Sequence, residues 1–410
     1  MSPEATSPPL SATGEGLGGG SPMVRLVFTA DNHLSRYYAK MTPEQLAKRR
    51  QRLREAWAQT VDFAIQKHAH LYLHGGDLFD MPDPRTSELI WVARQFQRLR
   101  EAGIETLAIG GNHDVPKMRT EGATPLRIYN EVRVAHVFTK STEVEWRTFE
   151  FDGLRLAVGG LSPDPRLVAG DDPLAGVTVQ PPAADVVLLL LHYAVEGTLY
   201  YEANEPILSK SSIAALSGVH YLLVGHVHQE RDVLVGDVRC CFPGSTERMT
   251  FGELETRPGF LYVELDSRGQ ALLHQRPIEP QPMHRLVIRT TDLPPQDPTG
   301  FVFQKIQECS HPELLLQCRL EGPLSRELYH SLRFFEIWRQ GNELNAFFDL
   351  DRSYTYLADE APRGGGDPTL QRVSPREEIE KVATALLAEA SPEERDLIEE
   401  ARRLVLERYG

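Results

Sequence analysis

Short apolar runs alternate with helical hydrophobic patterns along the first two thirds of the chain. The runs with the length and composition of strands are Val24–Phe28, Leu71–Leu73, Glu105–Ile109, Leu154–Val158, Val186–Leu191 and Tyr221–Val224. Between them, apolar residues recur every three or four positions, as at Leu53, Trp57 and Val61, which is typical of an amphipathic helix. More β structure is indicated at Val233–Cys241 and Gly259–Leu265. This alternation predicts a layered α/β domain.

A smaller pattern of the same kind follows. We place the main domain at residues 23–280 and a small α/β domain at residues 281–358. The strands and helices expected in the small domain are Leu286–Arg289, Phe301–Gln307 (helix), Glu313–Leu320, Arg326–Leu332 (helix) and Ala346–Leu350.

Three segments lie outside these two domains. Residues 1–22 are mostly Ser, Pro, Gly, Ala and Thr, so we expect a disordered extension before Met23, which we suspect is the natural start. Residues 359–373 contain the run APRGGGDP and are expected to be a flexible linker. Residues 374–410 contain two serine-proline helix starts followed by apolar stripes, which predict a helical pair. This pair needs a surface on which to bury its apolar faces, either on a partner or on its own chain.

Composition narrows the classes of protein that the chain can belong to. Its 44 basic and 58 acidic side chains give a formal net charge of −14, which disfavours wholesale coating of nucleic acid but does not exclude local contacts. No run of about 18 uncharged apolar residues occurs, so we expect no membrane-spanning helix. The four cysteines lack the spacing of a metal knuckle, and we expect reduced thiols in a cytoplasmic protein.

Five segments place Asp, His or Asn beside small residues at the end of an apolar run. They are Thr29–His33, Gly75–Asp77, Gly110–Asp114, Leu191–His192 and Gly225–His228. Because ligands bind at the carboxyl ends of the strands in an α/β sheet, we expect these side chains to converge. Carboxylates, an amide carbonyl and imidazoles suit Mn, Fe or Zn. With one bridging aspartate, they suit two ions about 3.5–4 Å apart, the spacing of two-metal phosphoryl chemistry.

The ordered motifs Asp-x-His, Gly-Asp-Leu-Phe-Asp, Gly-Asn-His-Asp, His and Gly-His-x-His resemble those of the calcineurin-like metallophosphoesterase superfamily. Within it, Gly76–Asp80 and Pro243–Glu253 resemble the SbcD-type nuclease of double-strand-break repair. The resemblance implies a β-sandwich flanked by helices, with a small capping domain and a C-terminal helical pair. Ser35 and Phe28 depart from the usual family residues, glycine and histidine, without removing a metal ligand.

The resemblance also implies a role for each residue of the site. The ligands of the first metal would be Asp31, His33, Asp77 and His228. The ligands of the second would be Asp77, as a bridge, with Asn112, His192 and His226. His113 would stabilise the transition state or protonate the leaving oxygen, and Asp114 would orient it. The donor set does not select one metal, and it is the family resemblance that favours Mn²⁺ for both ions.

A basic cluster follows the first motif. Between Arg36 and Arg54 the sequence has seven basic residues and one acid, Glu44. Arg36 and Lys40 are closest in sequence to His33, and we predict that they contact a nucleic-acid backbone. For the helical part of the cluster, a solvated helix face is the favoured explanation.

These observations predict a metal-dependent DNA exonuclease, with endonuclease activity left open. The resemblance implies a homodimer that works with an SbcC-type coiled-coil ATPase on DNA. One alternative is a phosphomonoesterase or small-molecule phosphodiesterase; it is disfavoured because Met81-Pro82, not Arg-Gly, follows Asp80. A second alternative is a non-catalytic protein that tethers DNA ends, which the complete set of ligand positions disfavours.

Overall fold

The computed structural model describes residues 23–116, 124–198 and 205–357, and the single residues Ala383, Thr384, Leu387, Arg395, Ile398, Glu399 and Arg402. By their contacts, Met1–Thr355 form one compact unit and Tyr356–Gly410 form a second. The extension predicted at residues 1–22, the linker at 359–373 and the helical pair at 374–410 lie outside the described residues, single positions aside. These predictions therefore stay open.

The main domain contains fourteen strands and four helices among the described residues. In chain order they are β1 (Val24–Thr29), α1 (Pro43–Gln66), β2 (Leu71–His74), α2 (Thr86–Glu101), β3 (Glu105–Ile109), α3 (Arg127–Glu131), β4 (His136–Phe138), β5 (Glu145–Phe151), β6 (Leu154–Gly160), β7 (Val186–His192), β8 (Ala194–Val195), β9 (Ile207–Leu208), α4 (Lys210–Ala214), β10 (Tyr221–Gly225), β11 (Arg231–Val235), β12 (Val238–Phe242), β13 (Gly259–Leu265) and β14 (Ala271–Pro277).

Two six-stranded sheets form the body of this domain, in the orders β14-β13-β1-β2-β3-β4 and β11-β12-β10-β7-β6-β5. The sheets pack on each other because alternate residues of their strands are apolar and face inward. Leu26 and Phe28 of β1 share one buried cluster with Leu156 of β6 and Leu188 of β7. The expected sandwich is therefore confirmed.

Helices cover the other face of the first sheet. Helix α1 begins at a capping box, in which Thr42 and Gln45 each accept a hydrogen bond from the other's backbone N–H. Its stripe residue Trp57 is fully buried and packs edge-on against Phe96 of α2, with ring centroids 5.6 Å apart. Val27 of β1 belongs to this same cluster. Both faces of β1 are thus covered, which explains its continuous apolar sequence.

The small domain follows β14. Its elements are β15 (Met283–Arg289), α5 (Pro298–Cys309), β16 (Leu315–Leu324), α6 (Arg326–Ser331), α7 (Phe334–Leu344) and β17 (Phe347–Leu357). The strands form a sheet in the order β15-β16-β17, in which β15 and β16 are parallel. The sheet and helices share a core that includes Val302, Leu316 and Phe348. This part belongs to the same unit as the main domain, and the predicted boundary at residue 280 stays a prediction.

The six strands predicted in the main domain are all present, and so are the elements predicted in the small domain. The β structure predicted at Val233–Cys241 is a hairpin, in which Val235 pairs with Val238 across a two-residue turn. Sequence reasoning missed eight of the described elements, namely α3, β4, β5, β8, β9, α4, β14 and α7. The sheet edges and one amphipathic helix were therefore underestimated.

Candidate metal centre

The predicted site residues lie at the carboxyl ends of parallel strands. Strands β1, β2 and β3 run parallel and lead into Asp31, Asp77 and Asn112, respectively. Strands β7 and β10, also parallel, lead into His192 and His226. The first three strands end at one edge of the first sheet and the other two at one edge of the second. Because the two sheets pack face to face, the five stretches of sequence bring their polar side chains together.

Backbone contacts fix the loops that carry these side chains. Asp31, His33, Asp77 and His226 all have positive φ, between 45° and 84°, which is unusual for residues other than glycine. The amide of His226 donates to the Asp31 carboxylate at 3.0 Å, and the amide of His113 donates to Asp77 Oδ1 at 2.9 Å. A Cβ at Gly111 would collide with the Asp77 carboxylate. The glycine therefore allows the close approach of these two loops.

One group of donors surrounds His33. Its Nε2 lies 3.0 Å from Nε2 of His228 and 3.6 Å from Oδ2 of Asp77. Together with Asp31, the two imidazoles offer ligand atoms that lie within 4.8 Å of one another. Two imidazole nitrogens on one ion, each at about 2.1 Å, stand about 3 Å apart. The spacing therefore fits a shared cation.

A second group surrounds His192. Its Nε2 lies 3.3 Å from Asp77 Oδ2 and 3.1 Å from Asn112 Oδ1, and the same amide oxygen lies 3.1 Å from Nδ1 of His226. Asp31 and Asp77 contribute to both groups, because each also lies near His192. All seven predicted ligands are thus placed together in two adjoining groups. Their roles as ligands stay predictions.

Each imidazole of the two groups has an oxygen acceptor near its outward nitrogen. Asp80 Oδ1 lies 3.2 Å from Nδ1 of His33, and Glu253 Oε1 lies 3.2 Å from Nδ1 of His228. The Gly75 carbonyl lies 2.7 Å from Nδ1 of His192, and Glu205 Oε2 lies 2.7 Å from Nε2 of His226. A hydrogen bond of this kind keeps the proton on the outward nitrogen of a neutral imidazole and leaves the inward nitrogen free for a metal. Nδ1 of His33 has Asp80 nearby but forms no such bond.

Sequence reasoning did not assign a role to any of these acceptors. Asp80 and Glu253 were noted only as parts of motifs that carry the family resemblance. Glu205 stands in no motif. No local spacing connects Asp80 with His33, 47 positions away, or Glu253 with His228, 25 positions away.

Electrostatics keep Asp77 ionised. Burial alone would raise the pKa of Asp77, but His192 and His33 outweigh it and hold that pKa well below its usual range. Burial also opposes protonation of His192, yet the carboxylates of Asp77 and Asp31 raise its pKa to about 9. Burial lowers the pKa of His33. An ionised Asp77 at the meeting point of both groups favours binding of cations.

His113 and Asp114 have separate surroundings. The His113 ring lies edge-on to His33, with centroids 4.9 Å apart, and its Nδ1 lies 3.0 Å from the Asp80 carbonyl oxygen. The Asp114 carboxylate accepts hydrogen bonds from the backbone amides of Leu78, Phe79 and Gly111, at 3.0, 2.8 and 3.1 Å. The group placed to orient His113 is therefore the Asp80 carbonyl, while Asp114 ties two ligand loops together.

The basic cluster is largely engaged within the protein. Arg36 Nη1 lies 2.6 Å from Asp80 Oδ1, and Lys40 Nζ lies 2.6 Å from Asp349 Oδ1. Arg49 is buried and pairs with Glu247 at 3.1 Å. The side chain of Lys40 is 69% exposed, whereas that of Arg36 is 23% exposed. Contact of either with nucleic acid stays a prediction.

A cavity of about 290 Å³ opens beside the second group of donors. Its lining includes Asn112, His192 and His226, the carboxylates of Asp164 and Glu205, and the apolar side chains of Pro163 and Leu167. Among the residues that the structure describes, no helix is both long and apolar enough to cross a bilayer.

Comparisons with known proteins agree with this geometry. A family model described as calcineurin-like phosphoesterase matches residues 24–230, just over half of the chain. A DNA double-strand break repair protein Mre11 of Methanopyrus kandleri is 27% identical over 260 residues, which cover 60% of this chain and 55% of the relative. The Saccharolobus solfataricus protein of the same name is 27% identical over 208 residues, half of each chain. The chain thus spans about half the length of these curated relatives.

Among solved structures, the chain is similar to a dimetal phosphatase from Danio rerio, with 12% identity and a TM-score of 0.37. The match covers 62% of this chain and 99% of the phosphatase.

Proposed function

Because the chain belongs to the calcineurin-like phosphoesterase family, we propose that it is a metal-dependent DNA nuclease that hydrolyses phosphodiester bonds with a water activated by two ions. The observation that carries the proposal is the meeting of seven oxygen and nitrogen donors in two groups that share Asp31 and Asp77. The repair proteins among the relatives supply the choice of DNA as substrate.

The donor set fits a pair of divalent cations. Asp31, His33, Asp77 and His228 would hold the first, and Asp77, Asn112, His192 and His226 the second. Such ions lower the pKa of bound water and offset the negative charge that develops on the phosphoryl oxygens. Mixed oxygen and imidazole donors accept Mn, Fe or Zn, and we propose Mn²⁺ from the family resemblance.

The chain's own residues supply orientation and proton transfer. Outward acceptors hold the imidazoles of His192, His226 and His228, so their inward nitrogens are aligned before a substrate arrives. The Asp80 carbonyl holds Nδ1 of His113, which leaves Nε2 as the nitrogen that donates a proton to the leaving oxygen. Arg36 and Lys40, in the loop after His33, would contact the phosphate backbone of DNA.

We extend the proposal to the biological setting. The nuclease would act in double-strand-break repair in the cytoplasm, as a homodimer with an SbcC-type coiled-coil ATPase. Residues 374–410 would bind the base of the ATPase's coiled coil. The supporting observations are the resemblance to the repair nuclease and the double-strand-break repair proteins among the relatives.

The test compares two substrates. Purified chain, stripped of metal and reloaded with Mn²⁺, Mg²⁺, Zn²⁺ or Fe²⁺ in turn, is given linear duplex DNA and, separately, a nitrophenyl phosphate monoester. We expect nucleotide release from DNA with Mn²⁺ and little turnover of the monoester. The matched inactive control is Asp77→Asn, which keeps the size of the bridging side chain and removes its charge. Efficient monoester turnover without DNA cleavage would instead favour a phosphomonoesterase.

A further inference from the structure

A row of polar side chains crosses the sheet of the small domain. Arg285 on β15 and Gln317 on β16 are direct neighbours in the parallel pairing, and Arg285 Nε donates to Gln317 Oε1 at 2.7 Å. Gln317 Nε2 in turn donates to Asp349 Oδ2 on β17 at 3.0 Å. We call these three residues the polar row. Gln317 is only 8% exposed, so water competes little for these bonds.

One end of the polar row reaches the loop that supports His228. Arg285 Nη2 donates to the carbonyl oxygen of Phe251 at 2.6 Å. Phe251 begins the 3₁₀ turn Phe251–Glu253, and Glu253 lies 3.2 Å from Nδ1 of His228. The other carboxylate oxygen of Glu253 accepts the Met249 amide at 2.7 Å, which fixes the carboxylate in the loop. The position of this turn therefore sets the position of the acceptor for His228.

The other end reaches the loop that follows His33. Asp349 Oδ1 accepts from Lys40 Nζ at 2.6 Å. Arg36, in the same loop, binds Asp80 at 2.6 Å, and Asp80 lies 3.2 Å from Nδ1 of His33. A second contact close by, from Gln45 Nε2 to Asn342 Oδ1 at 2.9 Å, joins the start of α1 to α7.

The two ends therefore hold the two loops whose histidines meet at 3.0 Å in the first group of donors. The imidazoles of the second group depend on other contacts. The acceptors described for His192 and His226 are Gly75 and Glu205, both in the main domain. Among the described contacts, the polar row thus links the small domain to the loops of the first group of donors, and the acceptors of the second group lie outside the row.

We propose that the polar row makes Arg285, Gln317 and Asp349 positioning residues for the first metal site. The small domain holds the loops of His33 and His228 at the spacing that a shared cation requires, and so sets the affinity of the first ion without setting that of the second. This inference rests on the two-ion arrangement proposed above. Lys40 thereby has a role in the free protein besides the predicted contact with nucleic acid.

The experiment is a titration of the full chain with Mn²⁺ alone, followed by electron paramagnetic resonance, which reports free, singly bound and paired ions without any substrate. Arg285→Gln breaks one end of the row and Lys40→Met breaks the other. Removing a group that directly supports a metal ligand weakens metal binding by about 10–100-fold, so these more distant changes should weaken the first ion by about 3–10-fold. The second ion should bind as in the wild type.

Two reference variants identify the sites. His33→Ala removes a proposed ligand of the first ion, and His226→Ala removes one of the second. The binding step that each variant loses therefore assigns that step to its site. Arg285→Lys keeps a donor for the Phe251 carbonyl and should recover part of the affinity. The double variant Arg285→Gln/Lys40→Met should lose less than the product of the two single losses, because both changes open the same row.

The matched control is Arg319→Gln. Arg319 lies on β16 two residues from Gln317 and pairs with Asp351 of β17 at 2.9 Å, so its loss disturbs the same sheet without touching a ligand loop. Its Mn²⁺ titration should equal that of the wild type. Equal weakening by this control, or normal titrations of Arg285→Gln and Lys40→Met, would overturn the inference. A wild-type chain that binds fewer than two ions would overturn the two-ion function as well.

Discussion

Replacing Asp114 by alanine tests which of two roles this carboxylate has. The sequence motif suggested that Asp114 orients His113, whereas in the structure it accepts three backbone amides from two ligand loops. The side chain is fully buried, so bulk water does not reach the three amides that it accepts from. Burial, followed by the nearby charge of Asp77, raises the pKa of Asp114 to about 7.

The expected loss of stability follows from those three bonds. An unsatisfied buried amide costs about 1–3 kcal/mol. At the lower value, three amides amount to about 3 kcal/mol. With an unfolding entropy of about 2.1 cal/mol/K per residue, that corresponds to a fall in Tm of about 3–4 °C for a chain of 410 residues. The loss is smaller if water enters the space left by the carboxylate, because water can satisfy some of the amides.

The first assay is thermal unfolding of the metal-free protein, monitored by circular dichroism. The second is DNA cleavage at a temperature at which the wild type and the variant are both folded. His113→Ala serves as the comparison, because it removes the imidazole and leaves all three amide bonds of Asp114 in place. We expect Asp114→Ala to melt lower and His113→Ala to melt as the wild type does. An Asp114→Ala protein with an unchanged Tm and lost cleavage would refute the loop-tying role and favour the orienting one.

Three further predictions concern activity and binding. His113→Ala should retain Mn²⁺ and DNA binding and lose cleavage by about 10²–10⁴-fold, the usual contribution of a general acid, as measured by single-turnover assays; undiminished cleavage contradicts the role. Arg36→Ala should weaken DNA binding and lower the slope of log K against log salt by about 1, in fluorescence anisotropy at several salt concentrations; an unchanged slope excludes a phosphate contact. Deleting residues 374–410 should abolish co-purification with the ATPase and spare metal-dependent cleavage of short substrates; retained binding rules out docking through this segment.

The inner strands could be predicted because both of their faces are covered. All seven residues of β7 are buried, and its sequence is correspondingly a continuous apolar run that ends in His192. The edge strand β5 was missed because charged residues interrupt its sequence, EWRTFEF, which therefore has no continuous apolar run. Two of these charged residues are exposed. Helix α7 was missed although it is amphipathic: Ile337 and Gly341 are buried, and the apolar Phe335 and Trp338 are left accessible.

The meeting of the candidate ligands could be predicted, whereas the groups that contact them could not. Each candidate ligand lies at the end of an apolar run or a few residues after it, so its place depends on local sequence and strand order. The supports depend on which loops meet in space. Lys40 and Asp349 are 309 positions apart, and no pattern in either segment indicates the pair. Sequence reasoning accordingly assigned Lys40 to nucleic acid, because the most visible property of a lysine near a candidate phosphate site is its charge.

Strain in the ligand loops explains why the supports are so numerous. Asp31, His33, Asp77 and His226 each adopt a positive φ, at a cost of about 1–3 kcal/mol per residue. Such a conformation persists only where the surroundings determine it. The amides of Asp31 and His33 donate to the carbonyls of Gly76 and Asp77 at 3.0 Å, so two strained loops stabilise each other. Contacts within the chain therefore hold the candidate ligands in position.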